Sequence, residues 1–133
     1  MTEILVPTSP GELIDKLTIL RLKSEKMTDP DKLAHVRHEQ QILQSIADRT
    51  LPASDELSRL WERLYEINAD LWSIEDDIRD FEAASDFGPG FVALARSVYV
   101  TNDQRAAVKK EINLLLGSAI VEEKSYSDYG GQG

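Results

Sequence analysis

The chain has 133 residues, 41% hydrophobic and 29% charged, enough for one globular domain with a real core and too little for a second. Cysteine is absent, which excludes disulfides, thiolate chemistry and cysteine-based zinc sites. The net charge of −9 is concentrated in residues 51–90, where eleven acids face three bases, and no nucleic acid partner is expected because such binding takes clustered Lys and Arg.

The opening MTEILVPTSP lacks a basic segment ahead of an apolar run, and no apolar stretch nears the ~18 residues of a membrane span. A cytoplasmic protein without a membrane span is expected. Residues 3–6 (EILV) suggest a short extended lead-in. SPGE at 9–12 then marks a helix start: Ser9 can cap, Pro10 suits the first helical position and Glu12 completes a capping box. This helix should run to about Met27 and bury Leu13, Leu17, Leu20 and Met27. Asp29-Pro30 restarts the chain into a second helix with Leu33, Val36, Leu43 and Ala47 inward, and Pro52 breaks the connection at 50–53.

The strongest pattern follows. Leu57, Leu60, Leu64, Ile67, Leu71, Ile74, Ile78 and Phe81 alternate three and four apart, a coiled-coil-like stripe on one long helix at about 54–84. SDFGPG at 85–90 is a break. A fourth helix is expected at 91–100, and Thr101 with Gln104 forms a second capping box for a fifth helix that Gly117 ends. The reading is all-α: an elongated bundle of four or five helices around the 54–84 helix. Residues 1–124 form one domain, and SYSDYGGQG at 125–133 forms a flexible tail.

Three constellations could carry chemistry. Asn68, Glu75 and Arg79 lie beside the long stripe, with Arg79 placed at i+4 to pair Glu75. A polar network that fixes helix register is preferred over a tuned carboxylate in a pocket. Glu66, Asp70, Asp77 and Asp80 form an acidic ridge whose single-file geometry suits a solvated face better than a cation cage. Arg96 and Tyr99 share one face at i,i+3, while Arg105, Lys109 and Asn113 share another. Neighbouring cations invite an anion, either a ligand phosphate or the chain's own acids at Asp77, Asp80, Glu122 and Glu123. His35 and His38 are three apart, whereas zinc helices use i,i+4, so no metal site is assigned. There is no P-loop or GxGxxG, hence no cofactor and no catalytic residue is assigned.

SPGELIDKLTIL (9–20), LWSIEDDIRDFE (71–82), ARSVYVTNDQRAAVKKEIN (95–113) and GSAIVEEKSY (117–126) together resemble a small bacterial family of unknown function. The resemblance implies a short helical protein associated with surface-polysaccharide or glycosyl-transfer systems, and it carries no activity. The expected role is therefore a helical interaction or scaffolding protein, leaning away from an enzyme. It should assemble as a homo-oligomer, a dimer first, through Leu57, Leu64, Leu71, Trp61 and Trp72, with a protein partner as a further option. The alternative is a small enzyme or binding module for an anionic ligand such as a sugar nucleotide or phosphate.

Overall fold

The computed structural model describes residues 2–129, which form four helices and no strand: α1 (Pro10–Lys26), α2 (Pro30–Thr50), α3 (Asp55–Ala83) and α4 (Pro89–Leu115). Each of the first three begins on a side-chain cap. Ser9 accepts from the Glu12 N–H, Asp29 from Asp31 and Lys32, and Ser54 from Leu57. Proline stands at the start of α1, α2 and α4, where its missing N–H costs nothing. No helix is long and apolar enough to cross a membrane.

Within the 54–84 segment, Asp55–Ala83 is one unbroken helix of 29 residues capped by Ser54 and Ala84. It is not the single dominant rod that its stripe suggests, because the expected fourth and fifth helices are one helix, α4, of 27 residues. Thr101 does not cap anything; it is buried in mid-helix. The Thr-x-x-Gln pattern signals a cap, but no Gly or Pro interrupts residues 91–115, and packing along α3 holds the helix continuous. After the turn at 84–88, α4 runs back along α3. Gly90 sits against the Phe81 ring near the turn, and Val108 and Ile112 share a core with Leu57, Leu64, Ile67 and Ile14 at the other end.

Helix α1 is the hub. It touches α2, α3 and α4, whereas α2 packs on α1, with Trp61 of α3 reaching into that contact. A helix with neighbours on several sides is buried nearly all round. Leu13, Leu17 and Leu20 are buried as their spacing suggests, and so are Ile14, Asp15, Thr18 and Leu22 on other faces. Met27 is only partly buried and serves as the C-cap of α1. Polar contacts fasten α1 to α3 along its later turns. Arg21 donates to Glu62 at 2.8 Å and lies 3.7 Å above the Tyr65 ring, while the Tyr65 hydroxyl donates to Glu25 at 2.5 Å.

The distal half of the α3–α4 hairpin is thinner. Leu71, Trp72, Ile74, Ile78 and Phe81 are half-buried, and Phe87, Val92 and Tyr99 are exposed. Glu66, Asp70, Asp77 and Asp80 of the acidic ridge all face solvent.

Candidate functional site

The most concentrated chemistry lies where α1, α3 and α4 meet, and it is centred on Asp15. Gly11 makes the junction possible. Its N–H donates to the Asn113 side-chain oxygen at 2.7 Å, and a Cβ here would stand 2.6 Å from the Lys109 carbonyl oxygen. With α1 and α4 so close, Glu12 receives Lys109 at 2.7 Å, and the Arg105 fork reaches both Asp15 oxygens, at 2.9 Å from Nε and 2.5 Å from Nη2. From α3, the Asn68 amide donates to Asp15 and to the Thr18 hydroxyl, both at 2.9 Å, and that hydroxyl donates to the Asp15 carbonyl at 2.7 Å. Lys109 adds a second cation 3.6 Å from Asp15.

Asp15 is 1% exposed. Burial pushes its pKa up, but the hydrogen bonds from Arg105 and Asn68 and the charges of Arg105 and Lys109 outweigh it and hold the carboxyl below the usual aspartate value. The Arg105 guanidinium is correspondingly raised by Asp15. A carboxylate so held stays ionised at neutral pH and is a poor proton donor. It acts as a lock between helices. Among the described residues no buried side-chain nitrogen or oxygen lacks a partner.

Two clefts flank this lock, and Arg105 borders both. One, of about 100 Å³, is lined by Ser9, Asn102, Arg105, Lys109, Lys110, Asn113, Glu122 and Lys124. The other, of about 280 Å³ and more open, is bordered by Glu12, Asp15, Lys16, Lys23 and Glu39. The first is partly covered by the chain itself. Gly117, at φ +64°, reverses the backbone at the end of α4, and the Ser118 N–H closes on the Asn113 carbonyl at 2.9 Å. Residues 118–129 then run back along α4. Lys110 donates to Glu123 at 3.0 and 3.2 Å, Lys124 donates to Asp103 at 3.2 Å, and the Tyr129 and Tyr99 rings meet edge to face at 5.0 Å. Asp103 is lowered by the Tyr129 hydroxyl and by Lys124. Of the tail expected at 125–133, residues 130–133 lie outside the described residues.

The structure divides the residues singled out in the sequence. Arg105, Lys109 and Asn113 come together at the junction. Tyr99 stands at the far end of the C-terminal arm, beside Arg96, which is fully exposed and hydrogen-bonded to it. The acids nearest the α4 cations are Asp15, Glu12, Glu122 and Glu123. Asn68 joins neither Glu75 nor Arg79; those two pair with each other on the exposed surface, while Asn68 turns to α1. The reason is geometric: the polar contacts of α1 on α3 run from Asn68 through Tyr65 to Glu62, away from Glu75. Asp15, Glu12, Thr18 and Gly11 are the site residues that sequence reasoning missed. Gly11, Asp15 and Thr18 share a stripe that ends on the buried Leu22, but with three positions polar or glycine it reads as a solvated face, and Glu12 lies off it. His35 and His38 are exposed on α2, and among the described residues no three His, Asp or Glu side chains converge as a metal cage.

Residues 4–129 match the profile of a family of unknown function, DUF6165, and the chain belongs to that family. No curated protein and no solved structure matches it.

Proposed function

We propose that this chain is a non-enzymatic helical interaction protein of the cytoplasm, a rigid three-helix junction that presents its α3–α4 hairpin to another copy of itself. The observation behind this reading is the hairpin beyond Asn68. Leu71, Trp72, Ile74 and Ile78 stay half-buried, and Phe87 is 53% and Val92 48% exposed. Apolar surface on a projection favours association, and the hairpin carries such a patch, as do Ile4, Leu5, Val6 and Leu114 elsewhere. Leu57 and Leu64 belong to the core of the single chain, so contact between copies falls to the later turns, at Leu71 and Trp72. Service in a surface-polysaccharide or glycosyl-transfer system rests on the family resemblance alone. Light scattering coupled to size exclusion tests the assembly. A dimer at micromolar concentration is expected, with Trp72→Gln shifting it toward monomer at unchanged helical circular dichroism; a wild-type monomer throughout the micromolar range defeats the proposal.

A second reading is favoured by the cleft at Arg105, Lys109 and Lys110: a module for an anionic ligand such as a sugar nucleotide or phosphate. Four cations line the cleft, Arg105, Lys109, Lys110 and Lys124, and each is paired with an acid of the chain, so a ligand anion would compete with Glu122, Glu123 and Asp103 for the outer three. Asn113 is at its border, and Arg96 and Tyr99 extend the same helix toward any larger ligand. A thermal-shift series with nucleotides, sugar phosphates and divalent ions addresses it; a melting temperature unmoved by all of them removes this reading.

A further inference from the structure

The cleft on α4 is already addressed by anions, and they come from the chain itself. Glu122 lies 3.9 Å from Lys109 and lines the cleft, and Glu123 meets Lys110 at 3.0 Å. These carboxylates are 70% and 69% exposed, so the arm is laid over the cations and not built into the core. Beneath them, Lys109 and Arg105 are fastened to Glu12 and Asp15, which fixes their positions without the arm's help. Farther along, the arm is held by Lys124 on Asp103 and by Tyr129 on Tyr99.

We propose that the cleft is a site for a phosphate or diphosphate group and that residues 118–129 are an acidic strap competing with that group for Lys109 and Lys110. This rests on the anion-binding reading above and adds the ligand's chemical class and its control. Size decides the class. Bounded by Glu122 and Lys124 of the strap, the cleft is about 100 Å³, well below the ~300–1,000 Å³ of pockets that enclose whole drug-sized ligands. Lifting the strap leaves Arg105, Lys109 and Lys110 as its lining cations, so it takes a compact anionic group and leaves the rest of the molecule outside. Ser9 and Asn102 add neutral polar groups on its rim. A phosphate oxygen accepts charge-assisted hydrogen bonds from the same ammonium groups that Glu122 and Glu123 now engage, and it brings more charge than either carboxylate. The strap's ion pairs are exposed and individually weak, so they can yield to a ligand without unfolding the body.

The test titrates inorganic pyrophosphate into the full chain and into the full-length double variant E122Q/E123Q, by calorimetry at low ionic strength. Hydrogen exchange of residues 118–129 is followed in the wild type. The variant is expected to bind about fivefold tighter, the scale set by two exposed ion pairs, with the gap closing as salt is raised. Exchange in the wild-type arm should rise on adding pyrophosphate, and Lys110→Gln should weaken binding in both backgrounds. Equal affinities with an unchanged arm overturn the strap and leave the cleft reading standing. Binding by neither protein, each melting cooperatively, overturns both. The exchange measurement needs no substitution, so it decides the matter even where the variant folds poorly.

Discussion

Asp15 sits between Ile14 and Leu17 with its charge answered from two other helices. Removing one member of a buried ion pair is costly because the other is left uncompensated. Asp15→Asn should lower unfolding free energy by about 3 kcal/mol, at the low end for such pairs since Arg105 retains some access to water, as urea denaturation would show. The pH dependence has a definite sign. The folded pKa of Asp15 lies below its unfolded value, so its contribution is complete above about pH 4 and is lost as pH falls through the folded value. Acid titration of stability should therefore be steeper in the wild type than in D15N below that point, and the two curves should run parallel above it. Gly11→Ala forces a methyl group against the Lys109 carbonyl and should cost about 1–3 kcal/mol. Neither residue is legible from periodicity. The leucine stripe at 13, 17 and 20 is visible because apolar spacing marks one buried face. A polar stripe at 11, 15 and 18 looks solvated unless a second and a third neighbour are known.

Helix ends are where local chemistry is most readable. Ser9 caps as its neighbours suggest, and Asp29 and Ser54 cap the next two helices, because capping is settled within four residues. Thr101 fails for a complementary reason: a capping pattern shows that a helix can start, not that the previous one has stopped. The two C-terminal reversals differ usefully. After α3 the left-handed position is taken by Ser85, at φ 52°, with the Asp86 N–H on the Phe81 carbonyl at 2.9 Å; after α4 it is taken by Gly117. Ser85→Gly should raise stability by about 0.5–1 kcal/mol, while Gly117→Ala should lower it by about 1–2 kcal/mol, although a Cβ there meets nothing. A thermal melt of each single variant checks both signs. If the two substitutions have the same effect, the backbone argument fails.

At the scale of the molecule, burial is uneven. The core of Ile14, Leu64, Ile67, Val108 and Ile112 and the polar lock lie at one end, and the hairpin beyond Asn68 has its two helices chiefly for each other. Native-state hydrogen exchange should find residues 72–80 and 91–99 opening at lower free energy than 12–22 and 60–68; self-association through the hairpin would narrow that difference as concentration rises. The all-α class and the unbroken 55–83 helix are legible from pattern alone. The hub position of α1 is not, since amphipathic spacing tells how much of a helix is covered and not by which partner. The Gly11–Asn113 bond spans 102 positions of the chain. During synthesis, Asn68 reaches Asp15 first, but the Asp15 carboxylate waits 90 positions for the Arg105 cation and the Gly11 amide 102 for Asn113. Folding intermediates lacking the final helix therefore hold an unanswered charge at their centre, and the body should be assembled in one late, cooperative step.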